Sequence, residues 1–151
     1  MCPAPLLDSF YVMKLDLTSF EKAVNRLEQS LMSLHSNAIK QDEALILTVQ
    51  AGVIKAFEFT YELSLKTLKR YLEMTEASPD IDGIKFSELI RICNEKGLLL
   101  SDIIAWRQYR NERNITSHTY NEEKAEEILK EIPQFLEEVK FVLQKLKERS
   151  A

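Results

Sequence analysis

The fold of this chain is decided by residues 42–75, DEALILTVQAGVIKAFEFTYELSLKTLKRYLEMT. The run reads as one long helix opening near Asp42 and continuing to about Thr75, and Gly52 inside it costs only ~1 kcal/mol relative to alanine. Its first half, with Leu45, Ile46, Leu47, Val49, Val53 and Ile54, is apolar nearly all round, the pattern of a helix covered on more than one side. Farther on, Phe57, Tyr61, Leu65, Leu68 and Leu72 form one stripe, while Phe59 and Leu63 lie off it. Two apolar faces on one helix predict a bundle core on one side and a subunit interface on the other.

The flanking segments supply the rest of a bundle. Phe20, Val24, Leu27, Leu31 and Leu34 recur at helical spacing, so a helix is predicted from about residue 18 to about 36, opened by Thr18 and Glu21 in a capping box. Ser78-Pro79-Asp80 through Asp82-Gly83 is a turn region. A short helix from about Ser87 to Glu95 is ended by Gly97, and Ser101 is the expected N-cap of a helix carrying Ile104, Trp106, Tyr109 and Ile115. Trp106 and Tyr109 read as core, and His35 as a residue at the end of the first helix. Asn121 is the expected cap of a last helix, in which Ile128, Ile132, Phe135, Val139, Val142 and Leu146 repeat and Pro133 should introduce a kink. Residues 1–16, with Pro3 and Pro5, read as a loose arm whose Phe10, Tyr11 and Val12 are placed to dock on a partner surface. The expectation is an all-α, up-and-down bundle of four to five helices over residues 17–151, homodimeric through its spare apolar face.

Composition narrows the function classes. A chain of 151 residues with three glycines and four prolines buries roughly 70% of its unfolded surface without metal or disulfide. Cys2 and Cys93 fit no C-x-x-C pattern, and no basic N-terminal segment or apolar run of membrane-spanning length is evident, so a reduced, cytoplasmic setting with no membrane is expected. The net charge of −4 argues against a general nucleic-acid coat. No carboxylate pair or His/Cys cluster has metal spacing, and no glycine-rich phosphate loop or nucleophile elbow occurs.

One segment stands out against that acidic background. Between Ile103 and Thr119 the charged side chains are Arg107, Arg110, Glu112 and Arg113, and the chain continues Arg113-Asn114-Ile115-Thr116-Ser117-His118-Thr119-Tyr120. Arginine matches phosphate oxygens with a planar fork of donors, and histidine exchanges a proton near neutral pH. On one helix Arg107, Asn114 and His118 fall within about 40° of each other, whereas Arg113 and His118 lie about 140° apart. For both to act on one phosphate, either the helix must end near Ser117 or a second chain must supply one of them.

The pattern Arg113-x4-His118-x-Tyr120 resembles the R-x4-H-x-Y motif of HEPN-domain proteins, and RNITSHTY as a whole resembles the branch named nucleotidyltransferase substrate-binding proteins. Phe57-Glu58-Phe59-Thr60-Tyr61-Glu62-Leu63-Ser64-Leu65-Lys66-Thr67-Leu68-Lys69 is similar to that branch's second-helix signature, with Leu65 near the place where the family carries tryptophan. The resemblance spans roughly residues 18 to 149. It implies a homodimeric bundle with the motif in a cleft at the interface, and a small nucleotidyltransferase (MNT) partner encoded nearby. It also implies a toxin–antitoxin pair in which the HEPN chain cleaves RNA without metal or cofactor and the MNT partner silences it by transferring AMP to Tyr120. Arg113 and His118 would then be the catalytic pair, and with one motif histidine per chain a dimer could provide a base and an acid from opposite subunits. Asn114 and Ser117 would orient phosphate or imidazole, and Arg110 would steer the RNA backbone. Two other readings stand beside this one: a non-catalytic subunit that binds a nucleotide or the transferase's substrate, and a helical dimerisation module without activity.

Overall fold

The computed structural model describes residues 14–76, 81, 83–118 and 122–150, with the side chains of Ser117, His118 and Glu122 outside that set. The expected N-terminal docking residues Phe10, Tyr11 and Val12, the cap Asn121 and the motif residue Tyr120 also lie outside the described residues. Six helices follow in order: α1 Thr18–Leu34, α2 Asn37–Lys40, α3 Glu43–Thr75, α4 Phe86–Glu95, α5 Ile103–His118 and α6 Glu122–Ser150. No strand occurs among the described residues. The chain is all-α, as its sequence predicts.

The decisive stretch forms a single 33-residue helix capped by Asp42, whose carboxylate accepts the N–H groups of Ala44 and Leu45. Its C-terminal two thirds is the spine of the bundle, with Val53, Phe57, Tyr61, Leu68 and Leu72 buried. The buried stripe passes through Ser64 rather than Leu65: Ser64 is fully enclosed and its hydroxyl donates to the Tyr61 carbonyl, so no polar group is left unpaired, while Leu65 is only partly covered. Along α3 pack α1 and α6, with α5 against both α3 and α6 and α4 against α5. Phe135 of α6 meets Phe57 and Tyr109 edge-on, at 4.9 and 5.1 Å between ring centroids, and Trp106 meets Tyr109 the same way at 5.4 Å. These edge-to-face contacts align ring quadrupoles and fix how α5 sits on α3 and α6.

The first turns of α3 leave apolar side chains in water. Leu45 and Leu47 remain 43% and 47% exposed, so within one chain this apolar end lacks the cover its pattern predicts. Taken alone, α3 is long and apolar enough to cross a bilayer, with no more than two charges in an 18-residue window. Its buried residues, however, make the bundle core.

Two helix starts are set by residues other than those expected. Thr18 is the first residue of α1 and its side chain makes no capping bond; its N–H donates to the Asp16 carboxylate instead, and Glu21 pairs with Lys147 of α6. An ionised carboxylate two residues upstream is the stronger acceptor. Likewise Asp102, not Ser101, receives the N–H of Ile104 at the start of α5. The Ser101 N–H is taken, with that of Leu100, by the fully buried Glu138 carboxylate, which ties the entry of α5 to α6. Leu15, assigned from sequence to the loose arm, is buried in the core. The four-residue α2 has too little periodicity to be legible, and α6 runs through Pro133 as one helix.

Gly97 ends α4 at φ +73°, the conformation that favours glycine, and a Cβ there would lie 3.3 Å from the Arg149 guanidinium. Gly97→Ala is expected to lower stability by about 1 kcal/mol in urea unfolding, through backbone strain more than through the flexible arginine.

Candidate functional site

Helix α5 continues through His118, so the backbone does not turn aside at Ser117. Five residues on one unbroken helix put the Cα atoms of Arg113 and His118 about 140° apart around the axis. The helix therefore does not end before His118 in the way one of the two expected routes to a shared phosphate requires.

The Arg113 side chain is one-quarter exposed and pairs with Glu62 of α3. Glu62 holds the guanidinium charged, above its ordinary range, with Glu58 and Tyr61 adding to the effect. Burial pushes the phenol of Tyr61 up to about 12 although Arg110 and Arg113 both oppose the shift, so at neutral pH it is a neutral wall beside the cation. Arg113 lines an open groove of about 550 Å³ between α1, α3 and α5, together with Arg26, Ser30, Lys55, Phe59 and Glu62. Exposed Gly52 forms part of the same wall, where absence of a side chain keeps the groove open.

The other motif residues fall in different places. Arg110 leaves the groove and stacks its guanidinium 4.8 Å from the ring centre of Phe86 on α4, a cation–π contact. Asn114 is exposed and engaged in an interaction of its own. The hydroxyl of Thr116 donates to the Arg113 carbonyl at 2.9 Å, binding the last turn of α5 back on itself. The side chains of Ser117 and His118, and all of Tyr120, lie outside the described residues. Trp106 and Tyr109 belong to the core and are closed to any ligand.

Glu112, the neighbour of Arg113, faces inward. It is buried, its Oε2 has no partner among the described residues, and burial together with Glu131 raises its pKa to about 7 even though Gln108 hydrogen-bonds to it. Cys93 is also buried, which pushes its thiol up to about 12 and leaves it unreactive at neutral pH. Among the described residues no cluster of histidine, cysteine and carboxylate side chains is arranged to hold a metal ion. The sequence alone did not reveal Glu62, Arg26 and Lys55 as neighbours of Arg113. The nearest signal was Phe59, an aromatic residue displaced from the buried stripe.

The family described as "Nucleotidyltransferase substrate binding protein like" matches residues 15–148. The chain belongs to that family. It is 38% identical over 140 residues to a protein of Haemophilus influenzae named "Probable ribonuclease HepT", covering 91% of this chain and 95% of the relative. Among solved structures it is similar to HI0074 of Haemophilus influenzae, with a TM-score of 0.82 and 37% identity over 87% of this chain and 99% of the other; that structure is described as revealing the fold of a substrate-binding domain of a nucleotidyltransferase. A protein from Thermus thermophilus shares the fold at a TM-score of 0.61 and 28% identity, over 84% of this chain and 98% of its own.

Proposed function

We propose that the chain is a metal-independent endoribonuclease of the HEPN type, active as a homodimer in which Arg113 of one subunit and His118 of its partner meet at one phosphodiester. The observation that carries this reading is the Arg113 guanidinium, presented in an open groove and paired, among the described residues, with the carboxylate of Glu62. Likeness to a relative named as a probable ribonuclease, and the uncovered apolar start of α3 with Leu45 and Leu47, support the reaction and the dimer respectively. An interface so built buries side chains that one chain leaves in water.

In the proposed reaction, the His118 imidazole takes the proton from an RNA 2′-hydroxyl. The 2′-oxygen forms a bond to the adjacent phosphorus, and the bond from phosphorus to the 5′-oxygen breaks. The departing oxygen takes a proton from water, and the imidazolium returns its own proton to solvent. The products are a 2′,3′-cyclic phosphate and a 5′-hydroxyl. Arg113 exchanges Glu62 for the phosphoryl oxygens and stabilises the charge that accumulates there. Asn114 and Ser117 orient the reacting groups, and Arg110 attracts the strand from the flank. A nucleotidyltransferase partner would silence the site by adenylylating Tyr120, two residues from the imidazole. Such a pair would work in the cytoplasm.

The test incubates the purified protein with an oligoribonucleotide in excess EDTA and analyses the ends. Cleavage to cyclic phosphate, with a fully 2′-deoxy strand left intact, is the expected result. Should the RNA survive while calorimetry detects a bound nucleotide, the ribonuclease reading fails. The chain would then be a binding subunit of a two-component nucleotidyltransferase, the reading favoured by the description given to HI0074.

A further inference from the structure

The groove beside Arg113 does not stop at that residue. A second hollow of about 210 Å³ adjoins it and shares Arg26, Ala56 and Phe59 of its lining, with Lys22 at the far end. The two form one continuous track along α1 and α3 that leads to Arg113. Its cations are Lys22, Arg26, Lys55 and Arg113, against two carboxylates, Glu58 and Glu62, on a protein whose net charge is −4. Neither Lys22 nor Arg26 has an ion-pair partner among the described residues. Lys55 reaches Glu58 only at 4.0 Å with its own side chain 83% exposed, a pairing of little strength in water. Lys22 and Arg26 stand one turn apart on α1, about 6 Å along the axis, a spacing of the same order as successive phosphates on an extended single strand. Between the cations lies Phe59, 58% exposed although most large apolar residues of the chain are buried.

Cations spaced along a groove with an exposed aromatic ring among them match a single-stranded nucleic acid, whose backbone follows the charges while a base stacks on the ring. We infer that the α1–α3 track is a binding subsite for the RNA strand flanking the scissile phosphate, with Lys22, Arg26 and Lys55 on phosphates and Phe59 beneath a base. The inference rests on the ribonuclease reading for the identity of the strand, but it assigns residues outside the Arg113–His118 motif. Binding here is sequence-tolerant, because stacking and phosphate contacts read no base edges. An incoming phosphate competes with Glu58 and Glu62 for the cations, so neutralising Glu62 strengthens binding.

The probe is a fluorescein-labelled oligoribonucleotide made uncleavable by 2′-O-methyl groups, followed by anisotropy at several salt concentrations. Arg26→Ala, Lys55→Ala and Phe59→Ala each remove an exposed side chain, so thermal melts should remain those of the wild type. Phe59→Ala is expected to weaken binding about tenfold. Each lysine or arginine variant should flatten the plot of log affinity against log salt by about 0.7. Glu62→Gln should tighten binding several-fold. Arg91→Ala, on α4 in a hollow that shares no lining residue with the track, should change nothing. The proposal is overturned if the wild type binds the probe and the track variants bind it equally well, a result that leaves the ribonuclease reading intact. It is also overturned if the wild type fails to bind, or if the track variants become monomeric by light scattering, which would make the track an interface between copies. A wild type that binds the probe through these residues yet leaves cleavable RNA whole sinks the ribonuclease reading and supports the subsite.

Discussion

Arg113→Ala is expected to lower the rate of RNA cleavage at saturating substrate by about 10²–10³-fold, the cost of removing a donor aimed at charge that develops in the transition state. His118→Ala should lose a comparable factor, about 10²–10⁴, as befits a positioned base. Neither change should unfold the protein. The Arg113–Glu62 pair is partly exposed, with side chains 25% and 45% accessible, so its loss costs well under about 1 kcal/mol. The measurement is single-turnover cleavage beside a thermal melt. If both variants cleave at the wild-type rate with unchanged melts, Arg113 and His118 are not the catalytic pair.

The second large effect concerns stability. Glu112 has a folded pKa raised to about 7 from an ordinary value of 4.5, mainly by burial and then by Glu131. Between those two pH values the native state holds a proton that the unfolded chain has released. Stability associated with this group is therefore fully present below pH 4.5 and is lost as the pH rises to about 7, above which the penalty is constant. Glu112→Gln keeps the shape and removes the charge. It should stabilise the fold by ~2–3 kcal/mol at pH 8, a rise in Tm of roughly 5–10 °C, and hardly at all at pH 4. A gain independent of pH between 4 and 8 would show that Glu112 titrates normally.

The fold was legible because α3 and α6 carry long apolar stripes at helical period. The ends of helices were less so: Thr18 and Ser101 have capping chemistry, but Asp16 and Asp102 lie within reach of the same N–H groups and, being ionised, accept them instead. Nor does periodicity distinguish Ser64 from Leu65 as the buried position. A serine that returns its hydroxyl to its own helix is as easily enclosed as a leucine. The candidate site was half legible. Arg113 stood out by its chemistry, but Glu62 is 51 positions away in the chain, and Arg26 and Lys55 belong to helices whose exposed faces carry many other charges. Only packing of α1, α3 and α5 reveals which of those charges share a groove. The fate of Arg110 shows the same limit, because its partner Phe86 lies on α4.

The central claim is that a guanidinium from one subunit and an imidazole from the other serve the same phosphodiester. Arg113→Ala and His118→Ala proteins, each inactive alone, can be unfolded together and refolded so that subunits exchange. Half of the dimers are then mixed, and each mixed dimer retains one site with both groups intact, so about a quarter of wild-type cleavage should return. A mixture no more active than the two variants measured separately, although light scattering and mass analysis show that mixed dimers have formed, would contradict the shared site.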